Sequence, residues 1–365
     1  MSYFDTRAEL ASRKLPDLFK FEDGTPVTIE NAEKRRKELL HIMQREVYGY
    51  MPKPPAKTDF EILETESSRC CAGKAIYKKI KLSFPVNEKT FSFTFRMHLP
   101  KAVANPPFVV IENFRSVLPD EYVPSEELID RGIGFAVFCH KEDITSDDGN
   151  FSDKLSGLFY PDGERKEKTD IGKIAMWAYC QSRVLDYVLQ NENVDTTRIA
   201  AAGHSRLGKT SLLAAACDER FTCAYSNDSG CSGAAISRNK IGESIEDITR
   251  VFPFWFCPSY SAYAKKEYEL PCDQHFLIAS IAPRKVYVAS AVEDTWADPA
   301  SEYLCCVAAS HFWKLYGIDD AFDVNEKIPR DEFSCRGKNI GYHLRRGVHY
   351  FSRYDWNKFL DFFLA

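Results

Sequence analysis

The sequence predicts an α/β fold built on one mostly parallel sheet, with helices packed on both faces. Two observations support this prediction. From about residue 108 onwards, short apolar strand patterns alternate with helical patterns, as they do in parallel α/β sheets. Before that point, two strand patterns at 75–82 and 91–99 are joined by a turn at 85–88. They predict an antiparallel pair at the N-terminal edge of the sheet.

The first part of the chain precedes this edge in sequence. Residues 1–30 have no clear pattern and are predicted to form an irregular surface arm. A helix is predicted at about 29–48. The proline-rich residues 51–55 end it, because proline has no N–H group and restricts the residue before it.

The remaining elements follow the strand–helix rhythm. Predicted strands cover 108–111, 135–138, 198–202, 223–227, 286–291 and 340–344. Predicted helices cover 124–131, 171–190 and 355–365. The long polar stretch 141–170 has no predicted element, and long loops of this kind are usually functional or flexible. Because neither a linker nor a repeat interrupts the chain, residues 1–365 are predicted to form one domain.

Composition excludes several classes of function. The chain has 365 residues, of which 44% are hydrophobic and 28% charged, as in ordinary globular proteins. A net charge of −5 gives no reason to expect nucleic acid or an anionic membrane as a partner. The N-terminus lacks an apolar signal core, so we expect a cytoplasmic protein, or a secreted one that has lost its leader. The twelve cysteines form no C-x-x-C motif, so no zinc site is expected.

A strand, a tight turn and a helix are predicted over residues 198–217. Residues 203–210, Gly-His-Ser-Arg-Leu-Gly-Lys-Thr, satisfy the phosphate-loop pattern G-x-x-x-x-G-K-[ST] in full. However, a loop that wraps phosphates with its own N–H groups favours small residues. His204, Arg206 and Leu207 are bulky. A P-loop nucleotide-binding protein is therefore the less favoured interpretation.

The favoured interpretation is a nucleophile elbow, in which Ser205 occupies a strained turn at the carboxyl edge of the sheet. The pattern is imperfect, because Gly208 lies three residues after the serine instead of two. A serine nucleophile needs a base and an orienting acid, and in α/β-hydrolases these follow in the order serine, acid, histidine. This interpretation predicts an α/β-hydrolase fold.

Three histidines lie beyond the predicted strand at 286–291. His349 occupies a glycine-marked loop between the last strand and the last helix, where this fold places its base. His343 falls within a strand pattern and His311 within a helix, so His349 is the predicted base.

The orienting acid has two candidates. Asp294 follows the strand at 286–291, which is the usual position, whereas Asp228 follows the earlier strand at 223–227. Glu293 is adjacent to the first candidate and remains open. Aspartate is also common at strand ends simply because it forms turns.

These residues resemble the glucuronoyl esterases, carbohydrate esterase family 15. Residues 203–209 are similar to the family's G-[CH]-S-R-x-G-K signature, which also accounts for the displaced glycine. Further matches occur in order along residues 20–365: Ser-Gly-Cys-Ser-Gly at 229–233, then Arg238, Gly242-Glu243, Phe-Pro-Phe-Trp-Phe at 252–256, Leu-Pro-Cys-Asp-Gln-His at 270–275, Ile-Ala-Pro-Arg at 281–284, Glu-Asp-Thr-Trp-Ala-Asp-Pro at 293–299 and Gly-Val-His at 347–349.

The resemblance implies a serine esterase that needs no metal or cofactor. Its substrate would be the ester between (4-O-methyl-)glucuronic acid on xylan or a xylo-oligosaccharide and a lignin alcohol. Arg206 would stabilise the oxyanion through its backbone N–H and its guanidinium, Lys209 and Glu243 would hydrogen-bond the sugar hydroxyls, and Trp296 would contact the sugar. An acetylxylan esterase or general carboxylesterase is the nearest alternative.

The sequence departs from the family at one acid position. Family members often carry glutamate where this chain has Asp228, which is one methylene shorter. This favours Asp294 as the main acid, with Asp228 as a secondary candidate. His275 also belongs to a matched motif, but we interpret it as a buried structural residue.

Overall fold

The computed structural model describes residues 5–319 and 322–365, and a ten-stranded sheet runs through these ranges. In chain order the strands are β1 (Asp59–Glu66), β2 (Ala75–Val86), β3 (Lys89–Pro100), β4 (Phe108–Asn113), β5 (Gly134–Cys139), β6 (Ile199–His204), β7 (Cys223–Asn227), β8 (Lys285–Ala291), β9 (Phe333–Arg336) and β10 (Ile340–Arg345).

Helices connect and cover these strands. They are α1 (Thr6–Arg13), α2 (Ala32–Met43), α3 (Ser125–Asp130), α4 (Lys154–Phe159), α5 (Lys173–Asn191), α6 (Arg206–Cys217), α7 (Ile245–Val251), α8 (Gln274–Ala279), α9 (Pro299–Ser310) and α10 (Arg353–Phe363). Across residues 5–319 and 322–365, no helix combines the length and apolar character that crossing a bilayer requires.

The sheet order is β1-β2-β3-β5-β4-β6-β7-β8-β10-β9. Strands β5, β4, β6, β7, β8 and β10 are parallel neighbours, whereas β1, β2 and β3 form an antiparallel edge. The predicted mostly parallel sheet with antiparallel N-terminal edge strands is therefore confirmed. The turn between β2 and β3 is shorter than predicted, because Val86 already pairs with Lys89.

The structure contains elements that the prediction lacks, among them α1, α4 and β1. The expected arm contains helix α1, whose first turn is capped by the Asp5 side chain accepting from the Ala8 N–H at 2.9 Å. The long polar stretch contains α4. Strand β1 has no sequence signal because its residues are mostly exposed at the sheet edge. With β1 included, Ser205 follows the sixth strand, whereas the sequence pattern counts five strands before it, or six if a short strand is missed.

Side chains alternate between the two faces of the sheet and build two apolar cores. Val110, Ala201 and Val288 belong to the larger core, which contains the apolar residues of α5, α6, α8 and α9. Ile111 and Tyr225 point the other way and join the core formed with α3 and α10. This confirms helices on both faces.

A buried polar network fixes α10 to β10 and so fixes the loop between them. The Asp355 carboxylate accepts from His343 Nε2 at 2.8 Å, from Arg345 Nε at 2.8 Å and from Ser352 Oγ at 2.7 Å. Burial raises the pKa of Asp355, but its bonds and charges with His343 and Arg345 outweigh this effect and lower the pKa overall. His343, which also contacts the Tyr287 hydroxyl at 3.0 Å, is a structural residue inside the sheet.

We predict that Asp355→Asn lowers the free energy of unfolding by about 3–5 kcal/mol, because the buried Arg345 guanidinium loses its charged partner. Urea denaturation with an unchanged slope measures this loss. Asp361→Asn on the same helix is the control, since Asp361 is half exposed and pairs with Arg131 at the surface. We expect that change to cost less than about 1 kcal/mol. Equal losses in the two variants would contradict the prediction.

Candidate active site

Ser205 occupies a strained turn between β6 and α6. Its backbone has φ 58° and ψ −125°, a conformation uncommon for a residue other than glycine. A Cβ atom on Gly203 would lie 2.2 Å from the Leu207 carbonyl oxygen. One on Gly208 would lie 3.0 Å from Ser226 Oγ at the end of β7. Gly208, the displaced second glycine of the pattern, therefore lies where α6 packs closely against β7.

The same geometry excludes the phosphate-loop interpretation. Only Ser205 separates β6 from α6, so no open loop is left to surround a phosphate. The Lys209 ammonium donates to the Ser229 carbonyl, and the Thr210 hydroxyl is buried and donates to the Arg206 carbonyl at 3.1 Å. Both side chains that would bind phosphate and magnesium are thus engaged within the fold.

His349 and Asp294 meet at the carboxyl ends of two adjacent parallel strands. Asp294 follows β8 and His349 follows β10, and these strands pair as far as Arg345 with Ala291. His349 Nδ1 lies 2.6 Å from Asp294 Oδ2. The imidazole is 42% exposed while the carboxylate is only 6% exposed, so the ring is accessible and its partner is protected. Glu293 points to solvent and does not make this contact.

Asp228 lies beside this pair but is held differently. Its Oδ2 accepts from Arg345 Nη2 at a long 3.3 Å, and its buried Oδ1 has no partner among the described residues. Burial and then the nearby carboxylate of Glu302 raise the pKa of Asp228 well above its usual value. Arg345 opposes this shift only in part, because its Nε is committed to another carboxylate at 2.8 Å.

Asp228, Asp294 and His349 are also the one group in residues 5–319 and 322–365 that could hold a metal ion. Their ligand atoms lie within 4.8 Å of one another. Since Asp294 is already hydrogen-bonded to the imidazole, the arrangement is also the one that a catalytic base with an orienting acid requires.

Arg206 begins α6, and its side chain is held by partners from distant segments. The guanidinium donates to Asp147, which lies in the long polar stretch before α4. It also lies over the Trp255 ring at 4.6 Å and the Phe252 ring at 5.5 Å. Sequence analysis missed Asp147. The available signal was Asp147-Asp148-Gly149 within a long loop.

Lys209, Glu243 and Trp296 line the same site. Lys209 is buried; its burial lowers its pKa, while the negative charge of Glu243 opposes this shift. Glu243 is brought close because Gly242, with φ 68°, packs against the Trp296 backbone, where a Cβ atom would lie 2.4 Å from the carbonyl oxygen. The Glu243 N–H donates to the same carbonyl at 2.9 Å, and the Trp296 side chain is 57% exposed.

One cavity of about 380 Å³ collects every predicted site residue. These residues are Ser205, Arg206, Lys209, Asp228, Glu243, Asp294, Trp296 and His349. Beneath the cavity, sequence analysis missed Glu302, whose carboxylate accepts from the Gly230 N–H at 2.9 Å and from Ser290 Oγ at 2.6 Å. Burial raises the pKa of Glu302 to about 7.

The remaining histidine candidates lie elsewhere. His275 is buried, contacts the Pro16 carbonyl through Nε2 at 3.0 Å, and has its pKa lowered to about 4 by burial. His311 follows α9 outside the cavity. A serine on a strained turn at the carboxyl edge of this sheet lines one cavity with an imidazole bound to a carboxylate, the arrangement expected of a hydrolase with the α/β-hydrolase fold.

Comparison with known proteins identifies the family. A family model described as "Glucuronyl esterase, fungi" matches residues 82–317. "Carbohydrate esterase MZ0003" from an unknown prokaryotic organism is 33% identical over 395 residues, covering 97% of this chain and 90% of the relative. The "4-O-methyl-glucuronoyl methylesterase 1" of Wolfiporia cocos is 28% identical, covering 84% of this chain and 73% of the relative.

A solved structure agrees with these sequence matches. A glucuronoyl esterase from Solibacter usitatus superposes with a TM-score of 0.85 at 32% identity, covering 96% of this chain and 97% of that chain. The chain belongs to the glucuronoyl esterase family, carbohydrate esterase family 15. It is therefore a carboxylic ester hydrolase.

The geometry of the two acids generates a prediction. Asp294→Asn should lower kcat for ester hydrolysis by about 10²–10⁴, because the acid holds the His349 tautomer and stabilises the imidazolium. Asp228→Asn should lower kcat less than about tenfold, since burial raises the pKa of Asp228 and so already favours its neutral form. Steady-state kinetics of both variants measures these effects.

The Asp228→Asn/Asp294→Asn double variant is the stringent comparison, because substitutions of two residues that lie beside one imidazole do not have additive effects. We expect it to be slower than either single variant. If Asp228→Asn is crippled while Asp294→Asn retains nearly full activity, the main acid follows β7 and the assignment is wrong.

Proposed function

We propose that this enzyme hydrolyses esters of glucuronic acid and 4-O-methyl-glucuronic acid, as found between glucuronoxylan and lignin alcohols. The observation that carries the proposal is the shared cavity. It joins Ser205 and the His349–Asp294 pair to polar and aromatic side chains suited to a sugar. The Wolfiporia cocos relative, whose name describes a 4-O-methyl-glucuronoyl methylesterase, supports the substrate class.

The proposed reaction proceeds through an acyl-enzyme. Ser205 Oγ attacks the ester carbonyl, and His349 accepts its proton through Nε2, because Nδ1 is held by Asp294. The imidazolium then gives this proton to the departing alcohol. A water molecule then attacks the acyl carbon and loses a proton to the same nitrogen, and the imidazolium returns a proton to Ser205 Oγ as the acyl bond breaks and the glucuronate leaves. Asp294 stabilises the imidazolium in both steps.

The negative charge that develops on the carbonyl oxygen meets donors at the start of α6. The first N–H groups of a helix have no acceptor within it, so the backbone N–H of Arg206 is available to the oxyanion. The Arg206 guanidinium lines the same cavity and supplies a second, charged donor. Charged donors aimed at a developing oxyanion contribute a few kcal/mol to the rate.

Substrate selectivity would come from Lys209, Glu243 and Trp296. A buried ammonium has three donors, and the described residues supply the Ser229 carbonyl to this one. Sugar hydroxyls can accept from Lys209 and donate to Glu243 at once. The exposed Trp296 ring provides an apolar surface for the sugar. An acetate ester reaches none of these groups.

The test compares benzyl glucuronate with p-nitrophenyl acetate. We expect a much higher kcat/KM for the glucuronate, because binding energy from the sugar is used at the reacting carbonyl. Ser205→Ala should abolish hydrolysis of both esters while leaving thermal unfolding nearly unchanged. Comparable kcat/KM values for the two esters would instead favour an acetylxylan esterase or general carboxylesterase.

Glu243→Ala separates a role in sugar binding from a structural one. It should lower kcat/KM for benzyl glucuronate roughly 10- to 100-fold, the effect of losing a hydrogen bond to a charged group, and leave p-nitrophenyl acetate within twofold. Glu246→Ala is the matched control, since Glu246 lies three residues on, is exposed and pairs with Lys265. Equal losses on both esters would show that Glu243 is structural.

A further inference from the structure

The Asp147 carboxylate contacts three side chains from separate segments of the chain. Arg206 donates to it from α6, Trp255 donates through Nε1 at 2.7 Å, and His140 Nε2 lies 3.1 Å away in the turn that follows β5. The Asp147 side chain is only 11% exposed. This buried carboxylate therefore links the start of α6 to Trp255 and to the turn after β5.

These contacts also bear on the charge of the Asp147 carboxylate. His140 Nδ1 lies 3.2 Å from the Asn113 carbonyl, which can only accept, so this nitrogen carries a hydrogen. Burial raises the pKa of Asp147, but the His140 hydrogen bond and the Arg206 charge outweigh this effect and lower the pKa overall. The carboxylate is therefore ionised and only accepts. It accepts from Arg206 and Trp255, and His140 Nε2 lies within hydrogen-bond distance of the same carboxylate.

The loop that presents Asp147 is itself anchored. Lys173, buried at the start of α5, donates to the Ser146 carbonyl at 2.7 Å and to the Asn150 carbonyl at 2.7 Å. These bonds fix the backbone on both sides of Asp147. The carboxylate position is thus set before any ligand binds.

Asp147 also controls the orientation of the Arg206 guanidinium. Within residues 5–319 and 322–365, its carboxylate is the one hydrogen-bond acceptor of that guanidinium, whose Nε is buried without a partner. The guanidinium carbon also lies 4.6 Å from the Trp255 ring centroid and 5.5 Å from that of Phe252, and these two rings are stacked on each other. Trp255 therefore both contacts the guanidinium and donates to the aspartate that binds it.

We propose that Asp147 is a positioning residue for ester hydrolysis. It holds the Arg206 guanidinium in the orientation that faces the oxyanion, so that this donor needs no rearrangement in the transition state. The proposal rests on the role of Arg206 in the proposed function. It does not depend on which ester is the natural substrate, because every ester develops the same oxyanion.

The first experiment compares Asp147→Asn with Asp148→Asn. We expect Asp147→Asn to lower kcat about 10- to 100-fold on both benzyl glucuronate and p-nitrophenyl acetate, with KM for the glucuronate changed less than about threefold. Asp148→Asn removes the same charge one residue away, where the side chain is 63% exposed, and should stay within twofold of the wild type. A change confined to KM, or equal losses in both variants, overturns the proposal.

A double-variant cycle with Arg206→Met separates positioning from a structural role. If Asp147 acts through Arg206, Asp147→Asn should change kcat less than about twofold once the guanidinium is gone. A purely structural role would lower kcat by the same factor in both backgrounds and would overturn the proposal. If the enzyme hydrolyses p-nitrophenyl acetate but not glucuronate esters, the proposed substrate is rejected. The double-variant cycle measured on p-nitrophenyl acetate then still decides the role of Asp147.

A second variant keeps the test decisive if Asp147→Asn does not fold. Trp255→Phe retains a ring under Arg206 but removes the Nε1 donor to Asp147. We expect kcat to fall a few-fold on both esters, and no further fall in the Arg206→Met background. An unchanged kcat, or a loss that persists in that background, overturns the proposal.

Discussion

The strained backbone of Ser205 is the constraint on which the rest of the site depends. The Ser205 N–H donates to the Asn227 carbonyl at 2.8 Å, which ties the turn to the end of β7. The preceding His204 lies 2.6 Å from the Asn227 side-chain oxygen, and its ring centroid lies 4.4 Å from that of His349. Burial lowers the pKa of His204 to about 3, so a neutral ring packs against the imidazole that becomes cationic in the proposed reaction. The turn that presents Ser205 therefore also supports His349.

The acid side of the site shows how burial can select one carboxylate among several. Asp228, Asp294 and Glu302 lie close together beneath the cavity. Burial raises the pKa of Asp228 well above its usual value and that of Glu302 to about 7. Three ionised carboxylates in so small a volume would repel one another. Asp294 differs from the other two because its Oδ2 lies 2.6 Å from His349 Nδ1.

The core of the fold and the predicted site residues were accessible from sequence for one physical reason. The carboxyl ends of parallel strands meet at one edge, so residues that follow predicted strands converge in space. Ser205, Asp294 and His349 follow β6, β8 and β10 and could be placed together in this way. The strained turn itself was visible as two glycines around a serine.

Other residues left no comparable signal. Asp147 lies 59 residues from Arg206, in a polar loop where a second aspartate stands next to it, and only the tertiary contacts distinguish the two. Glu302 reads as an ordinary polar position in a helix and becomes buried because α9 packs across the ends of β8 and β10. Strand β1 was missed because an exposed edge strand needs no apolar alternation.

The two cations of the cavity are held in opposite ways, and the difference matches their proposed tasks. The Lys209 ammonium donates to a backbone carbonyl, and burial lowers its pKa. This environment is compatible with binding the neutral hydroxyl groups of a sugar. Arg206 is bound to an ionised carboxylate. The ester is neutral but the acid product is an anion, so an uncompensated guanidinium beside Ser205 would bind the product more tightly than the substrate. Asp147 offsets the positive charge of Arg206 and leaves the guanidinium as a hydrogen-bond donor.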